Sequence, residues 1–156
     1  MRRPMNSTHR LPVRVYYEDT DFSGLVYHAS YLRFLERGRT EILRTAGVDQ
    51  SMLHAGGRGL FFAVRRMTID YLKPARMDDE LIVETTTTEV RGATLDVAQR
   101  VMRNDEALVT ATVLVASLSA GRPVRIPDAL RLRLTTTEPE TLPAFEGLGI
   151  DAEPGS

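Results

Sequence analysis

The chain has 156 residues, 42% hydrophobic and 26% charged, which suits one globular domain burying roughly two thirds of its unfolded surface. A formal net charge of -1 argues against a nucleic-acid partner, which normally meets a basic stripe. The absence of cysteine excludes disulfides, thiolate metal sites and cysteine nucleophiles.

The first segment, MRRPMNSTHR, is basic but leads into no apolar stretch, so it does not read as a secretory signal. No apolar run is long enough to span a bilayer, and the expected location is the cytoplasm. Met1 and Met5 are equally acceptable starts. Residues 1–9 are expected to be a flexible N-terminus and 10–134 the folded domain. Residues 135–156 carry acids and prolines but no base, so they cannot bury enough apolar surface to offset their ordering entropy. An acidic, disordered tail is expected there.

A strand is expected at about 11–17, where Val13 and Val15 alternate with Arg14 and Tyr16. The turn-forming loop EDTDFSG follows. Tyr27, Tyr31, Phe34, Leu35, Gly38, Ile42 and Ala46 then recur every three or four residues, one face of a helix over roughly 29–46. Gly47 suits the left-handed position that ends it, and Arg37 and Glu41 have i,i+4 spacing.

The rest reads as strand. Residues 60–72 put Met67, Ile69 and Tyr71 on one face and Arg66, Thr68 and Asp70 on the other, with Pro74 at the strand's end. Residues 80–90 are rich in β-branched side chains, and 93–103 follow a turn at Gly92. Asn104-Asp105 suits a two-residue hairpin turn. Residues 107–118 are apolar almost throughout, as in a strand buried on both faces. A helical turn at about 127–133 closes the domain. One helix allows no succession of βαβ crossovers, so an α+β fold is expected: a curved antiparallel sheet of about five strands around one long helix. Its other face would need covering, and a second copy of the chain is the economical cover.

The chemistry-bearing segment is 16–36, YYEDTDFSGLVYHASYLRFLE, which sets acids immediately before a helix N-terminus. Unpaired N–H groups there can polarise a carbonyl, and an Asp facing them is favoured ionised, as a nucleophile or base. Gly24 allows a tight turn and close approach of a ligand. Asp19 and Asp21 compete for the role, and either can equally be a turn or capping residue. Ser23 lacks the G-x-S-x-G setting of a hydrolase nucleophile. The glycine-rich stretch at 54–59 lacks the GK[ST] ending of a phosphate loop and reads as a lid or connector. The three histidines have no ligand spacing, so no metal is expected.

Tyr17-Glu18-Asp19-Thr20-Asp21, then Gly24-Leu25-Val26-Tyr27-His28-Ala29-Ser30-Tyr31 and Phe34-Leu35-Glu36, resemble the signature of the 4-hydroxybenzoyl-CoA thioesterase group of hotdog-fold proteins. RVYYEDTD, VYHASYLRFLERGRTEILR, VRRMTIDYLKPARMDDEL and VRGATLDVAQRV together resemble the Tol–Pal-associated acyl-CoA thioesterases, the YbgC family. The resemblance covers about residues 11–134. It implies a hotdog fold that hydrolyses acyl-CoA to a carboxylic acid and CoA, with no cofactor beyond the coenzyme A of the substrate. The second Asp of the D-x-D pair, Asp21, becomes the catalytic carboxylate, and the backbone N–H of His28 the oxyanion donor. Gly24, Tyr27 and Arg91 become substrate-binding candidates, Arg91 at the CoA end; Arg65, Arg66 and Lys73 are weaker ones. The resemblance further implies a homodimer or homotetramer and a functional link to the Tol–Pal envelope system.

For the side chains of Tyr27 and Tyr31, packing of helix on sheet is the simpler expectation, and for Glu36 a solvated or ion-paired role. Two other functions fit the same sequence. A hydratase or dehydratase on this scaffold would change enoyl absorbance without releasing thiol, and a non-catalytic acyl-CoA or partner-binding subunit would bind thioesters without cleaving them.

Overall fold

The computed structural model describes residues 8–47 and 59–136. Strand β1 (Thr8–Arg14) leads through a 3-10 turn (Tyr17–Asp19) to helix α1 (Ser30–Thr45). Strands β2 (Phe61–Tyr71), β3 (Glu80–Val90), β4 (Thr94–Arg103) and β5 (Glu106–Ser119) follow, then a short β6 (Arg122–Pro123) and helix α2 (Asp128–Thr136). The sheet runs β1-β3-β4-β5-β2, with β6 added to β5, and every pairing is antiparallel. This is the expected α+β architecture, with one long helix laid across one sheet.

The apolar stripe read from the sequence is the face that α1 buries: Tyr31, Phe34, Leu35 and Gly38 are buried, against Val83, Leu95 and Val97 of the core. Gly38 is required by distance. A Cβ there would fall 2.6 Å from Thr85 Oγ1 and 2.8 Å from Val83 Cγ1, so helix and strand could not approach as they do. Gln99 fills the space beneath. Its Nε2 donates to the Leu35 carbonyl and to Thr85 Oγ1, both at 2.9 Å, while its Oε1 accepts from Arg39 at 3.0 Å. A fully buried amide is thus satisfied on both sides, as burial demands. Gly47 has φ +94° and ends the helix as expected.

Several expectations are corrected. The first strand begins at Thr8, inside the segment expected to be flexible, and pairs Thr8 with Thr86 and His9 with Thr85. It stops at Arg14 and not near Tyr17, because the Asp19 side chain takes the Tyr16 N–H at 2.9 Å and folds the chain into a turn. Glu41 pairs with Arg44 at 2.9 Å, not with Arg37. Strand β5 is buried on both faces only at Leu108–Val109 and at Val115–Ser117; between them Val113 is covered, whereas Thr112 is exposed and Thr110 and Leu114 are half-buried. The two-residue Asn104-Asp105 turn is as read, with Asn104 at φ 54° between the paired Arg103 and Glu106. Helix α2 reaches Thr136; most of the proposed tail and the glycine-rich stretch up to residue 58 lie outside the described residues. No helix among the described residues is long and apolar enough to cross a membrane.

Candidate active site

The segment between β1 and α1 is pinned first by Asp19. Its carboxylate is buried, takes the Tyr16 N–H on Oδ2 and Arg33 of α1 on Oδ1 at 2.9 Å, and its carbonyl accepts Tyr27 N–H at 2.9 Å and Ser30 Oγ at 3.1 Å. Both oxygens are therefore spent on tying the loop to the helix start. A bridge between Thr20 and Val26 then closes a small excursion whose tip is residues 21–25.

Asp21 stands on that tip, exposed to solvent. Its N–H donates to Leu25 O at 2.8 Å and its carbonyl accepts Gly24 N–H at 3.1 Å. Gly24 has φ +81°, and a Cβ there would meet nothing within 4 Å, so glycine serves the turn itself and not close packing within the chain. The Asp21 carboxylate takes both the N–H of Ser23 at 2.8 Å and its hydroxyl at 2.5 Å on Oδ1. The Ser23 hydroxyl, then its N–H, hold the carboxyl below its ordinary value, so the group is ionised at neutral pH. The carboxylate opens on a depression of about 610 Å³ shared with Tyr17, Phe22, Arg76 and Met77. A second bridge, Leu25 to Arg76, carries the connection between β2 and β3 to this place.

Helix α1 begins at Ser30 with Ala29 as its N-cap, so His28 lies just outside it, in the turn that leads in. His28 is exposed, and its backbone N–H meets no acceptor among the described residues. Its carbonyl accepts the Tyr71 hydroxyl at 3.1 Å, and its ring stands 4.5 Å from that of Tyr27 and 6.2 Å from that of Tyr71. Tyr71, at the end of β2, thus holds this turn against the sheet edge. His28 does not line the depression that Asp21 opens on. Tyr27 is 48% exposed and does not pack helix on sheet, contrary to the simple expectation. Tyr31 does: it is buried, and its hydroxyl accepts Ala75 N–H at 3.0 Å.

The thioesterase superfamily model matches residues 23–110, more than half of the chain, beginning two residues after Asp21. The acyl-CoA thioesterase YbgC of Haemophilus influenzae is 50% identical over 122 residues, 77% of this chain and 89% of that protein. The chain belongs to the YbgC family of the thioesterase superfamily. Among solved structures, a probable thioesterase from Bartonella henselae superposes with a TM-score of 0.73 at 42% identity, covering 78% of this chain and all of that one. A Thermus thermophilus thioesterase complexed with coenzyme A and Zn superposes with a TM-score of 0.70 at 30% identity, covering 80% of this chain and 95% of that one.

In this YbgC-family chain Arg91 lies away from Asp21. The Asp21 loop leaves the sheet beside Glu80, whereas Arg91 follows Val90 at the other end of β3, a strand of 11 residues and so about 36 Å long. Arg91 also pairs with Asp96 and, at 3.2 Å, with Glu89. Its turn is braced by Arg131 of α2, which donates to the Arg91 carbonyl at 2.7 Å and to that of Gly92 at 3.1 Å. Lys73 pairs with Glu106 at 2.7 Å. Arg65 and Arg66 sit on the exposed edge strand β2. The cation that shares the depression with Asp21 is instead Arg76, which sequence reasoning passed over because its placement depends on a bridge to Leu25. Ser23, considered only as a nucleophile, was legible as a partner of Asp21 from the D-x-S spacing of an Asx turn.

Proposed function

We propose that this protein hydrolyses acyl-CoA thioesters with Asp21 as the reacting carboxylate and the N–H of His28 as oxyanion donor. The observation that carries this reading is the division of labour in the D-x-D pair. Asp19 has both oxygens committed to structure, while Asp21 is exposed, ionised and open to a depression able to admit part of a substrate. The family membership supplies the thioester chemistry.

In one form of the reaction Asp21 accepts a proton from water as the water oxygen adds to the thioester carbonyl. Negative charge then gathers on the carbonyl oxygen, where the N–H of His28 and the positive end of α1 stabilise it. Collapse breaks the C–S bond, and the departing thiolate recovers the proton. In the other form the carboxylate itself adds, expels the thiolate and leaves a mixed anhydride that water opens. Rapid-quench mass spectrometry of a single turnover separates them, since only the second path passes through an enzyme acylated on Asp21.

The reading includes a homo-oligomer in the cytoplasm. Edge strand β2 has no buried residue and leaves Phe61, Val64 and Tyr71, with Leu72 just beyond it, between 45% and 56% exposed, an apolar edge suited to a second copy. The functional link with the Tol–Pal system rests on the family resemblance alone. Thiol release from short, long and aromatic acyl-CoAs, run beside Asp21→Asn, tests the central reading. Full turnover by that variant, with deamidation excluded by mass spectrometry, would sink it.

A further inference from the structure

The two oxygens of the Asp21 carboxylate are not equivalent. Oδ1 carries the Ser23 N–H at 2.8 Å and the Ser23 hydroxyl at 2.5 Å, and neither bond reaches Oδ2; the backbone N–H groups of Leu25 and Asp21 act on the carboxyl more weakly. A carboxylate gripped on one oxygen by two donors from one residue has lost much of its freedom to turn about the Cβ–Cγ bond. Ser23 itself is exposed but does not line the depression, so it meets the carboxylate from behind and leaves the front open. The backbone half of the grip belongs to the turn that Gly24 permits, and any residue at 23 could supply it. The hydroxyl half is the contribution of this side chain.

The geometry points to Ser23 as a positioning residue that holds Asp21 with Oδ2 presented as the reacting oxygen. This rests on the reading of Asp21 given above and extends it from a residue to an atom. The hydroxyl works in two directions. It fixes orientation, which favours reaction, and by stabilising the anion it lowers the basicity of the oxygen it touches. Placing both donors on Oδ1 confines most of the second effect to the oxygen that does not react. The other titratable groups around the depression are Tyr17, from the 3-10 turn, and Arg76, from the connection between β2 and β3. The Ser23 hydroxyl is the largest influence on Asp21, ahead of the Ser23 backbone.

The test is Ser23→Ala and Ser23→Thr in the full chain, beside Asp21→Asn. Ser23→Ala keeps the N–H and loses the hydroxyl. It is expected to lower kcat roughly three- to tenfold, with KM unchanged within about twofold. The ¹³Cγ titration midpoint of Asp21 is expected to rise, because the hydroxyl that lowers it is gone, and the acidic limb of kcat/KM to move up with it. Ser23→Thr restores the hydroxyl and should return all three readouts toward the parent. An unmoved midpoint in Ser23→Ala overturns the proposal, and so does a kcat loss that Thr does not repair. Failure of the Asp21 reading would look different: Asp21→Asn would remain active, whatever the Ser23 variants do to the midpoint.

Discussion

Asp19 and Asp21 are the same side chain two residues apart, yet their surroundings have almost nothing in common. Around Asp19 the chain is closed: a buried carboxylate meets a backbone N–H and a guanidinium, and its carbonyl catches Tyr27, in the approach to the helix, and Ser30, its first residue. Around Asp21 the chain is open: the carboxylate is exposed and held chiefly by Ser23, with a depression in front of it. The pair works as anchor and tip. A reacting carboxylate needs a fixed position and a free face, and one residue cannot supply both if its oxygens are also tying the loop down. The D-x-D spacing divides the two demands between neighbours.

The contrast breaks most severely at the tip. Asp21→Asn is expected to reduce kcat by about 10²–10⁴-fold, the range for loss of a general base, with an unchanged melting temperature. Equal losses of activity and stability would mean that Asp21 also anchors. The converse test is Asp19→Ala, which strands the Tyr16 N–H and removes the partner of Arg33. It is expected to cost about 2–3 kcal/mol of stability by chemical denaturation, discounted because Arg33 is half exposed. Its activity loss should follow the unfolded fraction and recover on cooling. An Asp19 variant that is stable but inactive would reverse the assignment of the two acids.

How far this division was legible differs along the chain. The α1 stripe was readable from Tyr31 onward, because period and burial are one fact seen twice, and Gly38 sits in it where contact with Thr85 is closest; its first member, Tyr27, falls before the helix and is exposed. The hairpin at Asn104 was readable because turn chemistry is local. The end of β1 was not: alternation continues through Val15, and only the capture of the Tyr16 N–H by Asp19, itself held by Arg33 from 14 residues away, stops the strand. For the same reason residue types alone left Asp19 and Asp21 tied. Arg91 shows the limit in the other direction. A motif can name a residue for a site, but β3 carries it to the far end of the sheet from Asp21, and no local pattern reports that distance.

A milder test concerns pH. The active form of Asp21 is the anion, and its hydrogen bonds from Ser23 hold its titration below the usual carboxylate range. Activity should therefore persist as pH falls through about 4, where an ordinary Asp would be half protonated, and decline only below it. A kcat/KM profile with the fold followed by circular dichroism at each pH checks this. A limb above pH 5 with intact structure would show that some other group, or a differently held Asp21, governs the reaction.

The smallest effect isolates the turn from the chemistry. Gly24 occupies φ +81° with open space where a Cβ would go, so Gly24→Ala meets no clash and feels only the backbone penalty, about 1 kcal/mol. If the anchor and the tip are independent, that penalty is discharged locally. The excursion at 21–25 relaxes, the Ser23 grip on Asp21 loosens, and kcat falls about fivefold while the melting temperature drops by only about 2–4 °C. The bridge between Thr20 and Val26 and the Asp19 bonds behind it should be untouched, visible as unchanged amide protection at Tyr16 and Tyr27. Loss of protection at those two amides would show that strain at the tip reaches the anchor, and that the loop is one cooperative unit with its two acids coupled.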